Sequence, residues 1–331
     1  MALIVSGLFL LFLNLNPFEV YFSMVDGSFG SLYRIQQTII FAIPLVITSL
    51  GIAIAFKMKF WNIGAEGQIL MGAFCATYFA LNYSFMPRPL LLLIMFVAGF
   101  IGGAVWGLIP AFFKARWGTN ETIITLMMNY VALKWIVYLQ YGPWKDPNSL
   151  GFPKIANFET NAILPNFLGI HIGWIIAIVL AVLVYLFLNR SKKGFEIAVL
   201  GESMNTARYA GINISKTIVF AMILSGGICG LVGFIEASAV EQTLTKDITG
   251  GVGYTAIITA WLGALKPHWM VLASLLFAVL IQGSSYIQSA FGVSAASAEL
   301  LQAIVLFFVL GSEFFTRYKV IFDWPKSAKI K

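Results

Sequence analysis

The sequence predicts an all-α integral membrane protein of about ten transmembrane helices, with both termini in the cytoplasm. Composition is the first reason. The 331 residues are 60% hydrophobic and 11% charged, and the mean hydropathy is +0.87. An ordinary soluble domain is about one quarter charged, so this chain lacks the polar side chains to cover itself in water. The second reason is the length of its apolar runs, and the third is the uneven placement of its lysines and arginines.

Runs of about 20 apolar residues cross a bilayer as helices. They fall near 38–56, 90–113, 122–141, 173–189, 217–235 and 269–287, with weaker or shorter ones near 68–81, 252–265 and 298–315. The opening stretch Met1 to Leu13 spans only about 20 Å at 1.5 Å per residue, short of a hydrocarbon core of about 30 Å. It has neither a basic leader nor a small-residue cleavage site, so it reads as a short or truncated first helix, not as a signal peptide. That gives ten spans, or nine without it.

With a cytoplasmic N-terminus, the inner side receives Lys57, Lys59, Lys114, Arg116, Arg190, Lys192, Lys193, Arg208, Lys216, Lys266, Arg317, Lys319, Lys326, Lys329 and Lys331. The outer side receives Arg34, Arg88, Lys145, Lys154 and Lys246. This bias satisfies the positive-inside rule. It also accounts for the net charge of +7 without a nucleic-acid partner. The chain reads as a single transmembrane domain over 1–331, with an outer loop at 142–172, an inner loop at 190–216 and a basic tail at 316–331. Pro143, Pro147, Pro153 and Pro165 prevent one continuous helix in the outer loop. In the inner loop, Glu196 to Leu200 and Met204 to Ala210 read as short helices separated by Gly201 and ended by Gly211.

Several residues stand out against this apolar background. Phe60-Trp61-Asn62-Ile63-Gly64-Ala65-Glu66-Gly67-Gln68 places a carboxylate, two amides and two glycines between apolar runs. It reads either as a polar break inside the membrane, tolerated only where protein or a watery cavity surrounds it, or as a short loop just outside. Gly99, Gly103 and Gly107 recur every fourth residue, as do Gly226 and Gly230. Such spacing makes a smooth face for a neighbouring helix. Thr119 or Asn120 can cap the helix that contains Asn129, and Glu121 suits the positive end of its dipole. Capping does not explain Asn129, which either bonds another helix or meets a polar solute. Lys134 lies inside a span, close enough to its outer end to snorkel. Gln282, Ser284, Ser285 and Gln288 face either a polar cavity or the interface.

Other chemistry is missing from the sequence. Cys75 and Cys229 lie in apolar segments, and His171 and His268 are too far apart to suggest a metal site. No phosphate-binding G-x-x-x-x-G-K-[ST] loop and no cofactor fingerprint occur, and no nucleophile or paired-carboxylate arrangement suggests an enzyme.

Five segments together resemble one family. They are Asn62 to Gln68; Gly118-Thr119-Asn120-Glu121 with Met128-Asn129-Tyr130; Ala207-Arg208-Tyr209-Ala210-Gly211-Ile212; Ser225-Gly226-Gly227 to Gly233; and Gly251-Val252-Gly253-Tyr254 through Gly263 with Pro267. In this order, over about residues 17 to 315, they are similar to the membrane permease of bacterial ABC importers for ribose-type sugars and nucleosides. The Asn-Ile-Gly-Ala-Glu-Gly-Gln and Gly-Thr-Asn-Glu forms resemble the nucleoside branch. Ribose permeases read closer to Gly-Gly-Ile-Asp-Leu-Ser at the equivalent stretch. The short first helix and Lys134 depart from the family pattern.

The resemblance implies a multi-pass permease of the bacterial plasma membrane, with no cofactor of its own and ATP hydrolysed by a separate ABC ATPase. It implies a second, homologous permease and an extracytoplasmic substrate-binding lipoprotein, in contact with membrane lipid. Asn62, Glu66, Gln68 and Asn129 become the candidates for the substrate path. Residues 194–212 match the family's coupling region, which implicates Glu196, Asn205, Arg208, Tyr209 and Gly211 in contact with the ATPase. A simple sugar carried by the same machinery, or an ion-coupled transporter, are the alternatives.

Overall fold

A computed structural model describes residues 1–149 and 151–317. The basic tail expected at 316–331 therefore lies outside the described residues beyond Arg317. The chain divides into two compact units. One comprises Met1–Gly30 with the C-terminal segment from Leu280; the other is Ser31–Val279.

The larger unit is built around α3 (Leu32–Lys57), α4 (Ala65–Asn82), α5 (Arg88–Trp117) and α10 (Ile214–Ile235). Ser31 caps α3 by accepting from the Arg34 amide, and α3 is buried continuously from Ala42 to Phe56. A helix apolar on every side belongs at the centre of a bundle. α10 is as deeply enclosed from Ser225 to Ile235. α5 ends at Gly118, whose φ of +65° supplies the left-handed residue that stops a helix. Asn120 then caps α6 (Glu121–Tyr141), its Oδ1 accepting from the Thr122 and Ile123 amides. Glu121 does not act through the helix dipole alone, since it also pairs with Lys114 at 2.7 Å.

The two glycine sets expected to pack helices face each other across α5 and α10. A Cβ added at Gly103 would run into the Gly226 carbonyl and the backbone of Gly230, and one at Gly107 would lie 2.8 Å from the Met222 carbonyl. Gly99 sits against Gly230 and Phe234. α4 joins the same seam, with Gly72 against Gly230 and Gly233 against the Ile69 carbonyl. Three helices thus approach backbone to backbone, at distances open only to small residues.

α7 (Gly173–Arg190) leads into α8 (Lys192–Glu202) and α9 (Met204–Tyr209). The break between the two short helices differs from expectation. Gly201 lies inside α8, pressed on the Lys57 carbonyl. Ser203 makes the break, ending α8 and capping α9 by accepting from the Thr206 amide. A side-chain oxygen at an N-cap specifies a new helix more strongly than a glycine that the preceding helix tolerates.

At the opposite end of α7, residues 151–172 form a cap, with Ile155, Phe158, Ala162, Leu164 and Ile170 buried. It contains a 3-10 turn (Thr160–Ala162) and a small hairpin, β1 (Asn166–Phe167) with β2 (Ile170–His171), in the register Asn166 to His171. Phe158 and Leu164 donate their amides to the Gln242 and Ser238 carbonyls, while Arg88 donates to the Ile163 carbonyl at 2.8 Å. Each partner belongs to a different element, so the proline-broken segment is held in place without a helix.

Among the described residues six helices are long and apolar enough to cross a membrane: α3, α5, α6, α7, α10 continued to Val240, and α12 (Pro267–Phe291). They coincide with the six strong runs in the sequence. The weaker runs fall on α4, on α11 (Val252–Leu262) and on α13 (Ala295–Arg317). α4 carries Glu66 and Gln68 in its first turn, and α11 is a half-length helix of 11 residues.

The smaller unit contains α1 (Ala2–Phe12), α2 (Pro17–Phe29), the end of α12 and α13. α1 and α2 meet at 111° and would count as a seventh span if taken together. α2 was not expected from the sequence, because Glu19, Ser23, Asp26 and Ser28 break up its apolar run. Asn16 caps it, and Gly27 packs against the Tyr286 ring. Gln282 donates to the Gly27 carbonyl at 3.3 Å, so it serves this helix contact.

Candidate functional site: a polar junction of two helix starts

Between α3 and α4 the chain is not helical, and it runs inside the bundle. Asn129 lies eight residues into α6, a rise of about 12 Å at 1.5 Å per residue. Its Oδ1 accepts from the Gly67 amide at 2.9 Å, and its Nδ2 donates to the Ile63 carbonyl at 2.9 Å. The polar residues of the break therefore face the interior of the bundle, while Lys59 and Trp61 beside them are exposed. Asn62 is fully buried, with Glu66, Gln68 and Asn129 almost so.

Backbone exposed at that depth needs partners, and the side chains supply them. Asn62 Oδ1 accepts from the Gly64 amide at 3.1 Å, and Thr125 Oγ1 accepts from the Ile63 amide at 3.2 Å. Asn62 and Gln68 bond each other twice through their amides, at 3.2 and 3.1 Å, and Asn62 also donates to Ser225 Oγ. These two residues are the mortar between α4 and α10.

A second helix starts at the same place. Past a π-helical turn at Glu236–Val240, the chain returns into the bundle, and α11 begins after Gly250 and Gly251, both with positive φ. The free amide of Gly253 in its first turn donates to Glu66 Oε1 at 2.9 Å. Thr249 and Tyr254 border the same cavity as this carboxyl. A helix start exposes unpaired N–H groups and a partial positive charge, so a carboxyl there is stabilising. Gly253 is required by this contact: a Cβ would lie 2.6 Å from the Glu66 amide nitrogen. α4 and α11 thus begin side by side, stapled by Glu66.

Beside the staple lies a cavity of about 330 Å³, lined by Glu66, Leu70, Asn129, Tyr130, Leu133, Tyr254, Lys246, Asp247 and the segment Thr249 to Gly251. Its volume is at the small end of the range for small-molecule pockets. Of the four residues expected to form a substrate path, Glu66 and Asn129 line it, while Asn62 and Gln68 lie behind it. Tyr130 and Tyr254 add aromatic faces, and Asn129 Nδ2 donates to Tyr254 Oη at 3.3 Å. Among the described residues no cluster of His, Cys, Asp or Glu is suited to a metal ion.

The expected coupling residues divide as well. Glu196 is turned inward, accepting from Lys193 Nζ at 2.7 Å and from Thr217 Oγ1 at 3.5 Å. With buried Ile197 and Leu200 it fastens α8 to the bundle. Asn205, Arg208 and Tyr209 are exposed on α9, Tyr209 by 94%. Gly211 follows at a φ of +71°, which favours glycine. Lys134 is exposed on α6.

Residues 34–310 match the family described as the branched-chain amino acid transport system / permease component. The chain belongs to this permease family. It is 35% identical over 332 residues to the glucose ABC transporter permease protein TsgB13 of Haloferax volcanii, covering 96% of this chain and 87% of that one. It is 30% identical over 303 residues to the guanosine ABC transporter permease protein NupP of Bacillus subtilis, covering 88% and 85%. A second guanosine permease of that organism, NupQ, is 28% identical over 251 residues, covering 73% and 79%. The permease is thus an ABC permease of the nucleoside or sugar type and a multi-pass membrane protein.

Sequence reasoning missed Tyr254, Thr249 and Lys246 as parts of the site. The signal was present in Gly250-Gly251 before an aromatic half-helix, since paired glycines preceding a short apolar run mark a helix that starts inside the bundle. It also missed the ring cluster of Phe56, Trp61 and Trp261, in which the two indoles stack at 5.6 Å.

Proposed function

We propose that the permease forms the translocation path of an ATP-driven importer of nucleosides. The cavity at the α4–α11 junction carries this reading. A nucleoside is polar, largely uncharged and bears a flat ring, so its path requires hydrogen-bonding groups and aromatic faces. Glu66, Asn129, Tyr130 and Tyr254 supply these around one cavity, and the likeness to a guanosine permease supports the same substrate class. Asn62 and Gln68 shape the path from behind.

In this reading ten segments cross the plasma membrane of a bacterial cell, counting α4, α11 and α13 as short or half spans, with both termini cytoplasmic. A separate ABC ATPase docks on α8–α9, touching Asn205, Arg208 and Tyr209, while Glu196 and Gly211 hold that element's shape. A second permease completes the path, as the two similar guanosine permeases of Bacillus subtilis suggest. A substrate-binding lipoprotein delivers solute at the 142–172 end. ATP-driven closure of the ATPases moves α8–α9 and switches which side of the junction is open.

The second reading is a simple sugar as cargo, and the likeness to a glucose permease favours it. Competition separates the two. Uptake of labelled guanosine into cells producing the complete importer is expected to fall with unlabelled adenosine or uridine and to resist glucose and ribose. Competition by glucose or ribose alone would transfer the assignment to sugars.

A further inference from the structure

Tyr254 is placed as no other aromatic residue of the junction is. Its amide donates to the Gly251 carbonyl at 3.1 Å, its neighbour Gly253 donates to the Glu66 carboxyl at 2.9 Å, and its hydroxyl accepts from Asn129 Nδ2 at 3.3 Å. The backbone that carries the ring and the hydroxyl at its tip are therefore both held. The residue nevertheless lines the cavity and is 42% exposed. Asn129 already bonds Gly67 and Ile63, so the Tyr254 hydroxyl is not needed to satisfy it, and the ring borders the cavity.

We propose that Tyr254 is a specificity-determining residue that stacks on the flat ring of the substrate, and that Asn129 and Glu66 are positioning residues that hold it in place. This rests on the nucleoside reading above. A rigid aromatic face held before the ligand arrives loses little entropy on binding. It selects for a planar base over a puckered ring, because every base has a π-face and stacking tolerates differences among bases. The cavity is accordingly expected to accept several nucleosides and to discriminate poorly among them.

The test is KM and kcat for guanosine uptake by the complete importer with Tyr254→Phe, Tyr254→Trp and Tyr254→Leu, each normalised to the amount of assembled complex. Tyr254→Phe and Tyr254→Trp keep an aromatic face and should stay within a few-fold of the unmodified protein in KM. Tyr254→Leu should raise KM by roughly tenfold or more, the scale of a lost base–aromatic stack, with kcat little changed. Equal KM values for the leucine and phenylalanine variants would overturn the stacking role while leaving nucleoside import intact. Uptake of hexose but not guanosine by the unmodified protein would remove the nucleoside reading, and the stacking role with it.

Discussion

The glycine seam and the polar junction adjoin along α4, and they are built on opposite principles. In the seam, Gly72, Gly103, Gly226 and Gly230 bring three helices together with no side chain between them. Its cohesion is dispersion and close backbone approach, spread over many contacts. In the junction the helices stop, and Asn62, Glu66, Gln68 and Asn129 replace the missing backbone bonds one at a time. The seam has no room to move. The junction has few, directional bonds beside a cavity, and a small rearrangement of Glu66 or Asn129 would change what the cavity exposes. The same helix is thus held by backbone contact along its length and by single side-chain bonds at its start.

Substitutions can break each half of this contrast, with graded effects on the amount of folded protein. Gly103→Leu should have the largest effect. Its side chain would land on the Gly226 carbonyl and the Gly230 backbone, and backbone cannot give way as a side chain can. Normal amounts of folded permease in membranes would contradict the seam. Asn62→Ala comes next. It leaves the Gln68 amide and the Gly64 amide without a buried partner, at a cost of about 1–3 kcal/mol for each unmet group. The expected result is a lower melting temperature in detergent with KM unchanged, because Asn62 does not line the cavity. A change in KM without loss of stability would place Asn62 on the path instead.

Glu66→Ala should cost less stability and more transport. It uncaps α11, a loss of about 1 kcal/mol, yet it frees the segment that carries Tyr254. Uptake is expected to fall at least several-fold while membrane levels hold, with Glu66→Gln intermediate because its amide oxygen can still accept from Gly253. Uptake equal to the unmodified protein would show that the staple has no part in transport. Arg208→Glu should leave folded protein unchanged, since Arg208 is exposed on α9. It should reduce coupling between ATP hydrolysis and uptake, measured as substrate transported per ATP, and an unaltered ratio would remove α9 from the ATPase contact.

The fold was legible where physics acts locally. Six runs of sufficient length and hydropathy became six membrane-length helices, and Asn120 capped α6 as its side chain allows. The fourfold glycine spacing marked both faces of the seam, although nothing in the sequence says that Gly103 meets Gly226. Glu66 was conspicuous as a carboxyl among apolar residues. Its partner Gly253 is 187 residues away, and only tertiary packing brings them together. α2 was missed because its lipid-length signal is diluted by polar residues. Gly201 was mistaken for a break because a glycine that permits close approach to Lys57 looks, in sequence, like one that ends a helix.

The most direct test of the account is guanosine uptake by purified protein. This permease would be placed in proteoliposomes with the proposed partner permease and ATPase and with the proposed binding protein outside, with and without ATP on the ATPase side. The account predicts accumulation that requires ATP and is suppressed by other nucleosides but not by ribose. Accumulation without ATP would contradict it and point to a secondary transporter.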